Sequence, residues 1–223
     1  MRKKAGSKQR NDERLFFCVV IIMSLVFGTG FFLLLYSLNN RDEEPATENS
    51  PPQLISPDHP RQLVNFSLID CTGRTVTRSE LSGKFLVVDF LSTSCSLTCP
   101  VVNQHMAQIQ QLTTNRPDVK LVSLTVDPRD DTVSVLAKYG QRFGADTNRW
   151  FLLTGDKTTL YGLIANSFLA QDLDDPFSYM PGNFSHTERI ALVDSHGDLH
   201  GYFDGLNDNT ATAVVKEINR LRE

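Results

Sequence analysis

The sequence predicts an α/β sandwich carried behind a single membrane-spanning helix. Three observations predict it: an uncharged run from Leu15 to Leu38, a proline-rich stretch after it, and a long alternation of strand-like and helix-like segments from residue 61 onward. At 223 residues, 40% hydrophobic and 22% charged, the chain has the composition of a globular protein with room for one good-sized domain and its appendages.

Residues 1–14 form a basic tail, in which Arg2, Lys3, Lys4, Lys8, Arg10 and Arg14 outweigh Asp12 and Glu13. The whole chain is nonetheless at −4, so the body that follows is acidic. An acidic body argues against nucleic acid as the partner, because phosphate binding needs a basic face. The run 15–38 reaches about 36 Å as a helix, enough to cross a hydrocarbon core of about 30 Å with some tilt. A cleaved signal peptide would have a shorter apolar region and a small-residue cleavage site. Here Asn39-Asn40-Arg41-Asp42-Glu43-Glu44 follows instead, so the run is expected to remain as an anchor. The basic tail should stay in the cytoplasm and the rest should cross. That places the folded domain in the periplasm, on a single-pass protein of the inner (cytoplasmic) membrane; the mitochondrial inner membrane, facing the intermembrane space, is the alternative. Cys18 lies within the run and reads as a packing residue. Residues 39–60 hold half of the ten prolines and read as a stiff, solvated linker.

The domain is then expected over 61–223. Asn65–Ile69 and Thr75–Thr77 flank Asp70-Cys71-Thr72-Gly73 as a hairpin. Phe85–Leu91 is an apolar run suited to a buried parallel strand. Residues 100–113 read as a helix with Val101, Val102, Met106, Ile109 and Leu112 near helical spacing. Strand Lys120–Val126, helix Thr132–Phe143, strand Trp150–Leu153 and helix Lys157–Asn166 follow. Arg189–Asp194 and Leu199–Phe203 form a second hairpin, and Asn209–Arg222 a closing helix with Ala213, Val214, Ile218 and Leu221 inward. This order is the thioredoxin arrangement with an added N-terminal β-hairpin.

The chemistry concentrates at Cys95 and Cys99. They follow the Phe85–Leu91 strand directly, and Pro100 marks a helix start, where a missing N–H costs nothing. Both sulfurs thus lie near a helix N-terminus, which favours thiolate. Four residues apart, the pair can close a disulfide or present two soft donors to one metal ion. A purely structural disulfide would close too short a loop to add much stability. An ordinary thioredoxin-type oxidoreductase has two intervening residues, whereas Ser96, Leu97 and Thr98 make three. It also carries a proline just before the later facing strand, where this chain has none nearer than Pro181. A peroxiredoxin needs a proline ahead of its cysteine, and Phe90–Ser94 has none.

For a metal site a further ligand must come from elsewhere. In a thioredoxin-like topology the segment before Arg189–Asp194 lies opposite the cysteine loop, and His186 stands in that segment. Two thiolates and an imidazole suit Cu(I) and can hold Cu(II); zinc normally takes four ligands. His59, His105, His196 and His200 read as linker, helix, turn and strand residues away from the pair, and Cys71 as a free thiol in a turn. Asp172, Asp174 and Asp175, within the loop 170–185, form an acidic cluster that could dock a partner.

These residues resemble a known family. Cys95-Ser96-Leu97-Thr98-Cys99-Pro100 after a Val-Val-Asp-Phe strand is similar to the SCO/SenC copper proteins, as is Thr125-Val126-Asp127-Pro128-Arg129-Asp130-Asp131-Thr132. Trp150-Phe151-Leu152-Leu153-Thr154-Gly155 and the His186 segment leading into Ile190-Ala191-Leu192-Val193-Asp194 extend the likeness over 61–223. One departure is Ser96, where the family often has proline. The resemblance implies copper ligation by Cys95, Cys99 and His186, with Asp127 matching an acidic residue near the site that supports it or docks a partner. It further implies a role in assembling the copper centre of cytochrome c oxidase subunit II, or of a similar copper acceptor. Either copper delivery or thiol reduction of the target would serve that role. Other copper chaperones or thiol reductants would then be partners, and the redox state of Cys95 and Cys99 would decide whether metal can load.

Overall fold

The computed structural model describes residues 53–54, 61–168 and 188–222. The expected basic tail and membrane anchor lie outside the described residues, as do Cys18, most of the linker, and the acidic loop with Asp172, Asp174 and Asp175. Among the described residues no helix is long and apolar enough to cross a membrane.

A mixed β-sheet forms the centre. Its strands are β1 (Gln53–Leu54), β2 (Arg61–Gln62), β3 (Ser67–Asp70), β4 (Thr75–Thr77), β5 (Phe85–Leu91), β6 (Val119–Thr125), β7 (Trp150–Thr154), β8 (Arg189–Val193) and β9 (Asp198–Asp204). The helices are α1 (Thr98–Leu112), α2 (Val133–Arg142), α3 (Lys157–Phe168) and α4 (Thr210–Arg220), with a 3-10 turn at Arg78–Leu81. The sheet order is β1-β9-β8-β5-β6-β7-β3-β4, with β2 also on β9. Strands β5, β6 and β7 run parallel, β8 is antiparallel to β5, and the β3–β4 hairpin adds antiparallel to β7. This is an α/β, thioredoxin-like fold.

Every residue of β5 is buried, as a central parallel strand requires. Its side chains alternate between two cores. Leu86, Val88 and Phe90 join α3 and the hairpin strand β3, through Leu160, Ile164 and Leu68. Phe85, Val87 and Leu91 join Val102, Met106, Leu136 and Val214 of α1, α2 and α4. By the same period-two rule Asp89 points into the α1 side.

Two differences from the expectation are informative. Gln53–Leu54, within the stretch read as a solvated linker, pairs antiparallel with Tyr202 and Gly201 of β9. Helix α1 begins at Thr98 and buries Val102, Met106 and Ile109, whereas Val101 and Leu112 face solvent. The apolar stripe is narrower than the residue types implied, because α4 and β5 meet α1 on one side only. In α4 likewise, Val214 and Ile218 are buried while Ala213 and Leu221 are only half-buried.

Candidate metal and thiol centre

The loop 92–97 leaves the C-terminal end of β5 and enters α1. Its first link is the Cys95 amide donating to the Ser92 carbonyl at 3.1 Å. Helix α1 has no side-chain cap at Leu97. Instead the amide N–H of Cys99 donates to the Cys95 sulfur at 3.4 Å, with the Thr98 hydroxyl 3.8 Å from it. The sulfur thus occupies the place of a capping oxygen and satisfies one of the first-turn amides. That capping lets the helix start at Thr98, two residues before the proline. Pro100 still falls in the first turn.

The two thiols differ sharply in proton affinity. Burial opposes the Cys95 thiolate, but hydrogen bonds from the Cys99 amide and thiol, the Leu97 amide and the Thr98 hydroxyl outweigh it, lowering the pKa to about 6. Cys99 is buried, and burial pushes its thiol up to about 12, helped by the negative charges of Cys95 and Asp89. The expectation that both sulfurs favour thiolate therefore needs correction. Both thiols pay a desolvation cost, but only half-buried Cys95 has enough hydrogen-bond donors to outweigh it.

Beneath the loop lies a buried polar group that the sequence reading passed over. Asp89 is fully buried; it accepts a short hydrogen bond from the Ser123 hydroxyl and one from Asn103 Nδ2 at 3.2 Å. Trp150 Nε1 donates to Ser123 Oγ at 2.8 Å, and Asn103 Nδ2 also donates to the Cys99 carbonyl at 3.0 Å. Burial raises the Asp89 pKa to about 7 despite those donors. An aspartate in the middle of an apolar strand was the available signal.

Strand β8 pairs with β5 through Val88 and Ala191, so its start lies at the cysteine end of the sheet. There the Gly205 amide donates to the Glu188 carbonyl, and His105 Nδ1 donates to the Gly205 carbonyl at 2.8 Å. His105 is thus a buried residue tied to the backbone at Gly205. His196 is exposed in the β8–β9 turn, and His200 pairs with Glu217 at 2.7 Å. Cys71 is a buried free thiol in the β3–β4 turn. His186 lies outside the described residues, and among those described no three metal-ligating side chains cluster. Asp127 is half-buried; its amide donates to Thr125 Oγ1 at 2.9 Å and its carbonyl accepts from the Asp131 amide. A cleft of about 340 Å³, bordered by Arg78, Lys84 and Gly197, lies at the opposite end of the sheet and includes no residue of the cysteine loop.

Residues 56–223 match the SCO1/SenC family model. The chain belongs to the SCO1/SenC family. An SCO2-like protein of Rickettsia felis is 30% identical over 194 residues, covering 83% of this chain and 89% of the relative. The mitochondrial SCO2 homolog of mouse is 32% identical over 162 residues, covering 70% of this chain and 60% of the relative. Among solved structures, a SCO1/SenC family lipoprotein of Bacillus anthracis superposes with a TM-score of 0.63 at 27% identity, covering 74% of this chain and 98% of the other. Yeast Sco1, solved with copper bound, gives 0.58 at 20% identity, covering 74% and 95%.

Proposed function

We propose that this SCO1/SenC protein is a membrane-anchored copper chaperone. It binds copper, as Cu(I) or Cu(II), through Cys95, Cys99 and His186, and serves assembly of the copper centre of cytochrome c oxidase subunit II or a similar acceptor. The observation that carries this reading is the cysteine pair on the loop between β5 and α1, at the sheet end where β8 begins. Two sulfurs from adjacent positions on one turn suit a soft ion. The third donor is assigned to His186, which precedes Glu188 by two residues. The relatives solved with copper bound, from yeast and Bradyrhizobium japonicum, support the choice of metal. The Leu15–Leu38 run is assigned as the anchor, with the domain in the periplasm, and Asp127 as a residue near the site that supports the ligands or meets the acceptor.

The test is copper stoichiometry and affinity of the reduced full chain in detergent. One copper per chain is expected, with a loss of at least about 10-fold in affinity for His186→Ala. Full affinity in that variant sinks the three-ligand reading.

A second reading, thiol–disulfide exchange with the target's cysteines, is favoured by the split proton affinities. A half-buried thiolate beside a buried protonated thiol is an attacking and a resolving pair. The related BsSco is described as having a disulfide switch. If Cys95→Ser abolishes oxidase assembly in cells while His186→Ala leaves it intact, exchange rather than delivery is the role.

A further inference from the structure

The turn between β6 and α2 carries a second acidic residue whose placement gives it a task. Asp131 is 1% exposed, and among the described residues no cation pairs with its carboxylate. Oδ1 accepts from the Thr93 hydroxyl at 2.5 Å and from the Thr93 amide at 3.2 Å, while Oδ2 accepts from the Thr125 hydroxyl at 2.5 Å and shares the Thr93 amide at 3.3 Å. Thr93 stands two residues before Cys95, whereas Thr125 ends β6. The circuit closes on the turn itself: Thr125 Oγ1 accepts the Asp127 amide, and the Asp127 carbonyl accepts the Asp131 amide at 2.9 Å. The Val126 amide adds a parallel tie to the Leu91 carbonyl at 2.8 Å.

A buried carboxylate is costly to desolvate, and hydroxyl and amide donors offset that cost only where geometry holds them in place. A carboxylate has two oxygens and so can grip two elements at once. Here both oxygens meet Thr93 of the cysteine loop, and Oδ2 also takes the Thr125 hydroxyl of the sheet. Among the described residues the loop's own support is local, the Cys95 amide on the Ser92 carbonyl and the Ser92–Ser94 hydroxyl pair, while Ser94 and Ser96 are exposed and Leu97 is 80% exposed.

We propose that Asp131 is the positioning residue of the cysteine loop: it fixes Thr93 against β6 and so sets where the Cys95 sulfur stands relative to Cys99. The inference rests on the reading of Cys95 as a functional sulfur, whether for metal or for exchange. It gives the Asp127–Thr132 turn a role at the site that passes through the Asp131 side chain.

Four variants of the full chain test it: Asp131→Asn, Thr93→Val, Thr93→Ser and Thr125→Val. Each is measured for Cu(I) affinity by chelator competition, for Cys95 alkylation rate at pH 7 in the metal-free reduced protein, and for urea midpoint. Asp131→Asn and Thr93→Val should weaken Cu(I) binding about 10-fold and change the Cys95 alkylation rate several-fold. Thr93→Ser, which keeps the hydroxyl, should match the parent in both. Thr125→Val removes a hydrogen bond from the same carboxylate on the sheet side but leaves Asp131 anchored by its amide on the Asp127 carbonyl and bonded to Thr93; it should lower the urea midpoint and move both site readouts less than Thr93→Val does. The proposal is overturned if Thr93→Val moves only the urea midpoint, or if Thr125→Val moves the site readouts as far as Thr93→Val does. Should the parent bind no copper, the chaperone reading fails by itself, and the alkylation rates still decide the role of Asp131. Should Asp131→Asn not fold, the Thr93→Val and Thr93→Ser pair decides it.

Discussion

Two buried carboxylates, one in the β3–β4 turn and one under the cysteine loop, show how differently this fold treats its edge and its site. Asp70 is 1% exposed, yet its own turn serves it fully. It accepts from the Thr72 amide and hydroxyl at 2.8 and 2.6 Å, from the Arg74 amide at 3.0 Å, and from the Arg74 guanidinium at 3.0 and 2.9 Å. Burial alone would raise its pKa, but these donors win and hold it below the usual carboxylate range. Among the described residues Asp89 has the Ser123 and Asn103 side chains and its own backbone amide, with no guanidinium, and burial lifts it to about 7. The turn is stabilised by its neighbours in sequence. The site region holds a carboxylate that its surroundings leave under-compensated, and the nearby Cys99 thiol feels that charge.

The largest expected effect lies in the pH dependence, where the two residues act with opposite sign. Asp89 has a folded pKa raised above its unfolded value. Its contribution is therefore fully present below about pH 4 and is lost as pH rises toward 7, at about 1.4 kcal/mol per unit of difference. Asp89→Asn removes that loss. Urea denaturation should show the variant gaining on the parent by a few kcal/mol between pH 4 and pH 8. The same substitution removes a negative charge beside Cys99, so the Cys99 thiol should titrate lower, as followed by thiolate absorbance. A gain that does not grow with pH would mean that Asp89 is as well compensated as Asp70, and the contrast would collapse.

The next effect sharpens the other half of the comparison. Asp70 has a depressed folded pKa, so its contribution is present at neutral pH and lost as pH falls through the acid range. Asp70→Asn should cost about 2 kcal/mol at pH 7, the scale of hydrogen bonds to a charged group. The difference from the parent should shrink toward pH 3. Cu(I) affinity should be unchanged, because the hairpin touches the sheet at β7 and not at the cysteine loop.

The same contrast explains what could be read from the sequence. The β3–β4 turn was legible because its signals are adjacent: Asp70, Thr72, Gly73 and Arg74 lie within five residues. Strand β5 was legible to the residue, since an apolar run interrupted only by Asp89 admits little else. The cysteine pair was legible from its spacing and from Pro100. The supports of the pair were not, because Asp131 reaches back 38 positions to Thr93, and Asp89 reaches 34 positions forward to Ser123. The start of α1 was placed late for a related reason. A sulfur from outside the helix caps it, and no Ser, Thr, Asp or Asn at Leu97 announces that. Pairing of Gln53–Leu54 with β9 joins residues about 150 apart in the chain, beyond any local pattern.

The smallest effect tests whether the hairpin is as self-contained as its hydrogen bonds imply. Gly73 has φ +86° and donates its amide to the Asp70 carbonyl at 2.9 Å, while a Cβ added there would meet nothing within 4 Å. An alanine would fit the space but not the backbone conformation, which L-residues adopt only at a cost of about 1 kcal/mol. Gly73→Ala should therefore lower the urea midpoint slightly, with an unchanged slope and unchanged Cys95 alkylation. If alkylation shifted as well, strain in the hairpin would be reaching the cysteine loop across β7 and β6, and the two regions would have to be treated as one mechanical unit. The ladder from Asp70 through Leu153 to Leu124 is the route it would take, because these residues pair directly across the three strands.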